Sequence, residues 1–433
     1  MVKKRVKFTL KSIEYNEAKS MYHVSSKDIG IYIHVPFCKS ICPFCPYYKV
    51  IYSDTIVKDW LKYLINEIEI VKNIVYEFSD VRVEWVYFGG GTPSVLSPEE
   101  FRVVIEAINN HFDVRGDIGI EANPLDLSVD YVSKLLDLGI SKISIGVQSF
   151  NDKYLYMLRR SEAGKSREIL RILNDIVREF NIHINVDILF SIPGQRIDDF
   201  INDVKTAINV GVNQVTIYPL ILAKYLRMHK DIIEGRLPKQ PSLAMELEML
   251  RKGKELLEDH EYNISTIWSW SKSTNIYETV SNEMEGEYIG FGPGAFSLVG
   301  LREHMNIPSI KRWCYSLMNN KMLKYVNKLS REELLWRAFA NNLYLSKINI
   351  SYLKSKYGDT KNISKVLKVI KILRILRYIR KDNTLTWRGH KLSHILIKNF
   401  VREIPTEVTL QAMMQRGNTP LTTTLTHGNQ LSQ

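Results

Sequence analysis

The sequence of 433 residues predicts an α/β fold, a partial (β/α)6 TIM-like barrel followed by a C-terminal helix-rich, winged-helix-like module. Two observations support this prediction. Apolar strand-like runs alternate with amphipathic helical stripes from the N-terminal region onward, and this alternation stops after about residue 225. Alternating strands and helices form parallel βαβ units with right-handed crossovers. Because the pattern supplies six units rather than eight, we expect a barrel that is open on one side.

The predicted strands are short apolar runs, and the helices between them carry apolar residues at a spacing of three or four. Asp54 is the expected N-cap of the first long helix, and the segment from Ser97 to Glu100 is a capping box. The predicted strands cover 29–34, 83–88, 117–122, 142–147, 183–190 and 213–219. The predicted helices cover 54–73, a segment from 98, 128–138, 163–179, 197–210 and 243–258.

Composition divides the chain into five parts. One Gly and two Pro mark 229–242 as a linker, and a second capping box opens a helix-rich segment at Ser330. Residues 384–400 show the pattern of a hairpin followed by a helix, and Lys is absent from 404 onward. The predicted parts are an N-terminal arm (1–28), the barrel core (29–228), an extension that completes the site (229–325), the winged-helix-like module (326–400) and a disordered tail (401–433).

Composition and charge indicate a globular protein without a membrane span. Apolar residues make up 45% and charged residues 24% of the chain, no apolar run is long enough to cross a bilayer, and the charged N-terminus lacks a signal-peptide core. We therefore expect a cytoplasmic protein. The net charge of +12 favours either a solvated Lys-rich surface or an anionic partner. We interpret the charge as spread along the chain, so nucleic acid is an unlikely partner.

The strongest motif is a group of three cysteines. Of four cysteines in the chain, Cys38, Cys42 and Cys45 fall within eight residues in a C-x3-C-x2-C spacing. A structural zinc site needs four ligands, usually two C-x2-C pairs, whereas three thiolates on one tight loop suit three irons of a [4Fe–4S] cubane. Zinc with a distant fourth ligand such as Cys314, or three cysteines packed as small apolar residues, are the alternatives.

The residues around this motif resemble the radical S-adenosylmethionine (SAM) superfamily. The segment Tyr32-Ile-His-Val-Pro-Phe-Cys38 is similar to the first strand of its oxygen-independent coproporphyrinogen III oxidase branch, which includes heme chaperones and some methyltransferases. The resemblance covers roughly 29–220, with weaker matches at 289–297 and 330–400. It implies a [4Fe–4S] cluster on the three cysteines, SAM at the open iron, reductive cleavage of SAM to a 5′-deoxyadenosyl radical, and an electron donor such as ferredoxin or flavodoxin.

The resemblance also implies a set of SAM contacts. Glycines after the second strand allow close backbone approach to a ligand, although a Gly-rich turn is often only a turn. Asp187 lies inside an apolar strand, where a charge is costly unless paired, so it is either a ligand-binding or a buried structural residue. Arg160 is alternatively an ordinary helix-surface residue. The implied cofactor-binding residues are Tyr32, Phe44, Gly90, Gly91, Thr92, Glu121, Gln148, Arg160, Asp187 and Phe296; no catalytic residue is assigned.

Two departures from the branch leave the substrate open. The decarboxylating type carries a further Cys at the position of Tyr47, and the heme chaperones carry a His- and Trp-containing segment where 278–287 reads ETVSNEMEGE. The sequence therefore predicts a radical SAM oxidoreductase that acts on an organic, tetrapyrrole-like small molecule. The alternatives are a heme chaperone or heme-trafficking protein, a radical SAM methyltransferase, and a nucleic-acid-modifying enzyme.

Overall fold

A computed structural model describes residues 8–76, 81–160, 165–273 and 283–416, with side chains to residue 402. The strands are β1 Thr9–Glu14, β2 Asp28–Val35, β3 Phe37–Cys38, β4 Val50–Ile51, β5 Arg82–Gly90, β6 Asp113–Ala122, β7 Ile140–Gln148, β8 His183–Phe190, β9 Gln214–Pro219, β10 Asn263–Thr266, β11 Ser269–Ser271, β12 Glu287–Phe291, β13 Phe296–Val299, β14 Arg302–Asn306 and β15 Lys321–Lys328.

The helices are α1 Tyr15–Ala18, α2 Asp54–Tyr76, α3 Pro98–His111, α4 Val129–Asp137, α5 Asp152–Met157, α6 Ser166–Glu179, α7 Ile197–Val210, α8 Arg227–Ile233, α9 Leu243–Asp259, α10 Ile310–Met318, α11 Arg331–Tyr344, α12 Ile350–Tyr357, α13 Ile363–Ile375 and α14 Trp387–Arg416. Within the described ranges, none of them combines the length and apolar character that a bilayer-crossing helix needs.

One 13-stranded sheet organises the chain, in the order β1-β15-β14-β13-β12-β2-β5-β6-β7-β8-β9-β11-β10. The predicted six parallel strands are confirmed as the consecutive run from β2 to β9. The late strand β12 joins this run in parallel, with Tyr288 opposite Gly30. Since β1 and β10 are the two ends of the sheet in the described residues, the parallel strands form an open arc.

The C-terminal ends of the parallel strands meet at one edge of this arc. One face of the parallel strands is apolar and is covered by the surrounding helices, whereas the other face carries polar side chains such as Glu121, Asn185 and Asp187. The loops after Val35, Gly90, Ala122, Gln148 and Phe190 therefore gather at the same edge. This is the edge at which open parallel sheets and TIM barrels bind their ligands.

Three of the predicted segments differ from the structure. Residues 9–14 of the predicted N-terminal arm form β1, which pairs with β15 at the sheet edge. The start of the predicted linker 229–242 lies in helix α8. Helix α14 continues to Arg416, so the expected disorder from residue 401 is wrong as far as 416, and residues 417–433 lie outside the described part.

The C-terminal module is helix-rich, as predicted, but its wing is minimal. The hairpin reduces to isolated antiparallel bridges, Ile379 with Leu385 and Lys347 with Thr384, followed by α14. The boundary at residue 326 also falls inside β15, a strand of the main sheet. The module therefore begins structurally at α11, whose capping box at Ser330 is confirmed.

A buried carboxylate attaches the glycine-rich loop after β12 to the core. Glu67 of α2, only 1% exposed, accepts hydrogen bonds at 2.9 Å from the amide of Gly292 and from Nδ2 of Asn306. The ammonium group of Lys324, equally buried, lies 3.6 Å from Glu67 Oε1 and donates to Asn306 Oδ1. Burial lowers the pKa of Lys324, and Glu67 opposes that effect. All polar groups of this cluster are thus paired.

A second buried carboxylate fixes helix α14. His394 accepts from Trp268 Nε1 at 3.0 Å through Nδ1, so its Nε2–H donates to Glu246 of α9, also at 3.0 Å. Lys398 Nζ lies 2.6 Å from both oxygens of Glu246. Burial opposes ionisation of Glu246, but His394 and Lys398 outweigh it and lower its pKa to about 2. Because this pKa is depressed, the stabilisation is present above the ordinary value of 4.5 and is lost as the pH falls through about 2.

Replacing Glu67 by Ala tests the first of these attachments. The substitution leaves Lys324 buried without its carboxylate and the Gly292 amide without its acceptor, so we expect the free energy of unfolding to fall by about 3–5 kcal/mol. Glu69→Ala, an exposed change on the same helix, is the matched control and should cost less than about 0.5 kcal/mol. Urea denaturation of both variants measures the difference, and equal losses would contradict the assigned role of Glu67.

Candidate cofactor site

The three clustered cysteines lie on a loop that two short parallel strands close. Strands β3 and β4 pair Phe37 with Val50 and Cys38 with Ile51. The amide of Val50 donates to Pro36 O at 2.7 Å, and that of Tyr52 donates to Cys38 O at 3.0 Å. Cys38 is buried, whereas Cys42 and Cys45 are half-buried, and all are free thiols. The loop therefore presents three sulfur atoms at the C-terminal edge of the sheet.

Contacts from three other loops hold the cysteine loop in place. Lys39 donates to Asp126 at 2.7 Å, and Asp126 also accepts from Ser94 at 2.7 Å, which links the loops after β5 and β6. On the opposite side, the amide of Met228 donates to Pro43 O at 3.1 Å. Phe44, a predicted cofactor-binding residue, packs on a separate apolar cluster formed largely by the segment after β9. In the structure, Phe44 therefore anchors the loop.

Burial raises the pKa values of two of the thiols, and nearby donors partly oppose that effect. Burial raises the pKa of Cys38 to about 11, although the hydroxyl of Thr92, 3.4 Å from its sulfur, opposes the shift. Burial also raises the pKa of Cys45, and Lys49, which donates to Cys45 O at 2.8 Å, opposes it. Thiols of this kind become thiolates when a cation binds them, so the site favours a metal group over free thiolates.

The fourth cysteine of the chain lies on a helix outside the cysteine loop. This cysteine, Cys314, lies on α10. Burial, together with the negative charge of Asp59, raises the pKa of the Cys314 thiol to about 12. In the described stretches of the chain, no three Cys, His, Asp or Glu side chains converge on one ion position. In a [4Fe–4S] cubane each thiolate binds a different iron, so the three cysteines of this loop would bind three irons and leave the fourth iron without a thiolate from the loop.

The glycine-rich turn after β5 packs directly on the cysteine loop. The amides of Gly91 and Thr92 donate to Val35 O and Phe37 O, both at 2.8 Å. A Cβ atom at Gly91 would lie 2.7 Å from Phe37 O, and Gly90 has a φ of 112° with its Cβ position 2.5 Å from the ring of His34. Glycine is therefore required at both positions for close packing, whether or not a ligand is bound.

Two carboxylates with shifted pKa values lie beside this turn. Glu121, at the end of β6, accepts from the amide of Gly90 at 3.1 Å, and burial raises its pKa to about 7 despite that hydrogen bond. Asp187 on β8 accepts from Asn185 at 2.8 Å and Ser144 at 3.2 Å, and burial raises its pKa to about 6. Each group is therefore poised between its acid and its carboxylate near neutral pH.

Arg160 and Gln148 present unpaired polar atoms to the same region. Arg160 donates to Gly146 O at 2.5 Å and reaches Cys42 Sγ at 4.0 Å, while its buried Nε finds no partner among the described residues. The buried Oε1 of Gln148 is likewise without a partner in the described ranges. Buried polar atoms of this kind are normally satisfied, so the pair fits a site for a polar ligand. Arg160 is therefore not an ordinary helix-surface residue.

Tyr32 contacts the site through a neutral histidine. His34 Nε2 lies 3.0 Å from Tyr48 O and must carry the proton, so Nδ1 accepts from Tyr32 OH at 3.1 Å. Burial lowers the pKa of His34 to about 4. The ring of Phe296 packs edge-on against Phe8, with 6.4 Å between the ring centroids. Its cofactor role stays a prediction.

Several supporting residues escaped the sequence analysis. Asp203 of α7 accepts from the Phe150 amide and from Ser149 Oγ, both at 2.7 Å, and thereby fixes the turn in which Gln148 has a φ of 73°. His34, Ser144 and Asn185 support Tyr32 and Asp187. For Asn185 the sequence offers one signal, since Asn185 and Asp187 alternate on one face of the same strand.

Comparisons with known proteins agree with this arrangement. The family model of the Radical SAM superfamily matches residues 32–207, which contain the three cysteines, the glycine turn and both carboxylates. Over residues 32–207 the chain is similar to the radical SAM superfamily. This confirms the predicted resemblance, and with it a [4Fe–4S] cluster and SAM as the cofactors.

Two curated relatives match about two thirds of the chain or more. The protein is similar to anaerobilin synthase of Escherichia coli O157:H7, at 26% identity over 313 residues, 71% of this chain and 69% of the relative. It is also similar to heme chaperone HemW of Bacillus subtilis strain 168, at 29% identity over 289 residues, 65% of this chain and 74% of the relative. These similarities lie in the branch that the motif around Cys38 predicted.

A solved structure shares the fold over nearly the whole chain. Coproporphyrinogen III oxidase (HemN) from Escherichia coli, a radical SAM enzyme, superposes with a TM-score of 0.73 and 19% sequence identity, covering 88% of this chain and 91% of that one. The similarity includes regions outside the family match, so the extension and the C-terminal helices belong to the common architecture. At this identity the superposition shows the fold alone.

Substituting the cysteines one at a time tests the cluster assignment. Each of Cys38→Ala, Cys42→Ala and Cys45→Ala should abolish the iron–sulfur absorbance after anaerobic reconstitution, because each thiol would hold a different iron. Cys314→Ala is the matched control and should retain about four irons per chain. Loss of the cluster in Cys314→Ala, or its retention in any of the other three variants, would contradict the assignment.

Proposed function

We propose that this protein is a radical SAM enzyme that cleaves SAM reductively and acts on an organic, tetrapyrrole-like substrate. The observation that carries the proposal is the grouping of three thiols, two carboxylates with raised pKa and the unpaired atoms of Arg160 and Gln148 at one sheet edge. When bound, the cluster and SAM supply a 5′-deoxyadenosyl radical. The protein's own groups bind, orient and shield that cofactor.

The contacts support separate roles for the polar residues. Glu121 and Asp187 are acceptors suited to the amino and hydroxyl groups of SAM, and within the described ranges neither forms an ion pair. Arg160, close to Cys42, is suited to offset anionic charge on the cluster or on the SAM carboxylate. Gly90, Gly91 and Thr92 keep the backbone close to this space, and Gln148 and Tyr32 line it.

The relatives support the substrate class. The name anaerobilin synthase describes an enzyme that makes a bilin, an open-chain tetrapyrrole, and coproporphyrinogen III oxidase acts on a cyclic one. Tyr47 projects from the cysteine loop and is 58% exposed, so it is placed to meet a substrate that approaches the loop. A small-molecule substrate, an electron donor of the ferredoxin or flavodoxin kind and a cytoplasmic location complete this proposal.

The second candidate function is heme trafficking, favoured by the similarity to heme chaperone HemW. The segment 278–287 lacks a His ligand, and its residues 278–282 lie outside the described part of the chain. Because 278–287 offers no His ligand, we expect no stoichiometric heme binding, whereas one heme per chain with a sharp Soret band would favour the carrier. The methyltransferase and nucleic-acid-modification alternatives have no structural observation of their own.

SAM binding in carboxylate variants tests the proposed enzyme function. Glu121→Gln and Asp187→Asn should retain the cluster but bind SAM about 5- to 150-fold more weakly, the loss of a charge-assisted hydrogen bond of about 1–3 kcal/mol. With dithionite, the wild type should release 5′-deoxyadenosine and both variants should release less. Glu106→Gln, an exposed change on α3, is the control. SAM affinity and product release like the wild type in both variants would contradict the assigned site.

The same measurement has a pH signature. Because burial raises the pKa of Glu121 to about 7, its carboxylate, the form that accepts two or more hydrogen bonds, becomes dominant only above that value. SAM affinity should therefore rise as the pH increases from about 6 to about 8. Glu121→Gln should flatten the rise. Equal pH profiles in the two proteins would show that Glu121 does not face SAM.

A further inference from the structure

The positive charge of the protein is concentrated in the C-terminal module. Residues 361–402 contain twelve Lys and Arg against a single acidic residue, Asp382, which accounts for nearly all of the chain's net charge of +12. The expectation that the charge is spread along the chain is therefore wrong. A charge of this density on one small module produces a local positive potential and repels a second copy of the same surface.

Helix α13 carries this charge on its outer face. Val366 and Ile370 bury the inner face against the neighbouring helices, whereas Lys365, Lys368 and Lys371 are exposed. No carboxylate in the described residues forms an ion pair with any of these three lysines. The face is thus open to a partner that supplies the negative charge.

Exposed apolar side chains continue the same face toward the end of the helix. Ile372, Ile375 and Leu376 are 53%, 69% and 50% exposed. Beside them lies a shallow surface cleft of about 600 Å³. Its lining includes Lys371, Arg374, Ile375, Arg377, Arg380 and Lys381. The result is a small apolar patch surrounded by cations, which we call the basic–apolar face (361–381).

The basic–apolar face sits on a firmly anchored support. The Glu246 cluster ties α14 to α9, and His390 Nε2 donates to Ile267 O at 2.8 Å from the first turns of α14. Helix α13 packs against α11 and α12 of the same module. A partner that binds the face therefore meets a surface that is already ordered.

We propose that the basic–apolar face is a docking surface for an anionic lipid membrane. Lys and Arg side chains attract anionic headgroups, and isoleucine and leucine side chains that stand among them enter the boundary between headgroups and acyl chains. The proposal concerns a reversible surface contact. It is independent of the cluster and extends beyond the proposed function, since it concerns where the enzyme acts.

The side chains of this face favour a lipid surface over nucleic acid. Nucleic-acid surfaces use aromatic rings for stacking and Asn, Gln or Arg for base edges. The aromatic residue of 361–381 is Tyr378, and Arg388 already lies over its ring at 5.1 Å. The residues that protrude among the cations are Ile372, Ile375 and Leu376, which gain nothing from a phosphate backbone but are stabilised in an interfacial lipid layer.

Vesicle sedimentation with the full-length protein tests the proposal. The wild type should sediment with vesicles of phosphatidylglycerol and phosphatidylcholine in equal amounts, should not sediment with phosphatidylcholine alone, and should be released by salt. Lys371→Glu/Arg374→Glu should weaken the binding at least about tenfold, because each basic residue near an anionic surface contributes roughly fivefold. Lys58→Glu/Lys62→Glu on α2 makes the same change in net charge elsewhere and should bind like the wild type.

A charge-neutral variant separates lipid from other anions. Ile372→Ser/Ile375→Ser keeps every cation and both positions are exposed, so it should fold normally by circular dichroism yet bind the anionic vesicles several-fold more weakly. Binding of the wild type to a mixed-sequence RNA with no binding to the vesicles would overturn the proposal. So would vesicle binding that the two serines leave unchanged, or that both glutamate pairs weaken equally.

Discussion

The backbone pairing of β3 with β4 is the constraint on which the cofactor site depends. Three sulfur atoms reach one cluster only when the loop that carries them adopts a defined shape. The two short strands close that loop, and hydrogen bonds from Gly91 and Thr92 join it to the turn after β5. Asp126 and Met228 then fix its two sides. Because glycine alone fits at Gly91, the cysteine loop and the cofactor-facing turn form one unit.

Burial raises the pKa values of the two site carboxylates, and few hydrogen-bond donors or cations oppose that effect. Glu121 and Asp187 have raised pKa values because they are poorly solvated, and the groups that stabilise their charged forms are a backbone amide, two neutral side chains and the nearby Arg160. Glu67 and Glu246, which hold the fold together, each meet a lysine and at least one further donor. Glu121 and Asp187 have no lysine partner among the described residues, and carboxylates with perturbed pKa values are typical of functional sites.

The sequence located the parallel strands and the ends that carry chemistry. Strand β2, predicted at 29–34, runs from Asp28 to Val35, and β7, predicted at 142–147, runs from Ile140 to Gln148. An apolar run that ends in Cys, Gly or a single acidic residue predicts both a strand and a functional residue at its end. The pairing of β1 with β15 and of β12 with β2 gave none, since the partners lie hundreds of residues apart. The support of the turn at Gln148 by Asp203 also gave no sequence signal, because helix α7, which carries Asp203, follows that turn by more than 50 residues.

Two predictions drawn from composition, the disordered tail and the even spread of charge, differ from what the chain shows. The loss of Lys after residue 404 suggested disorder, but Glu, Leu, Gln, Ala and Met are good helix formers and α14 continues to Arg416. The charge looked evenly spread because basic residues recur throughout the chain, and only the near absence of acids in 361–402 creates the local excess. The positions of Lys and Arg alone do not show where Asp and Glu are missing.

Mössbauer spectroscopy of the protein reconstituted with isotopically enriched iron tests the central claim most directly. If the β3–β4 loop holds three irons and leaves the fourth without a thiolate, adding SAM should change the parameters of one iron site in four and leave the other three unchanged. A cluster whose four sites are all insensitive to SAM, or whose fourth iron already shows thiolate ligation, would contradict the account.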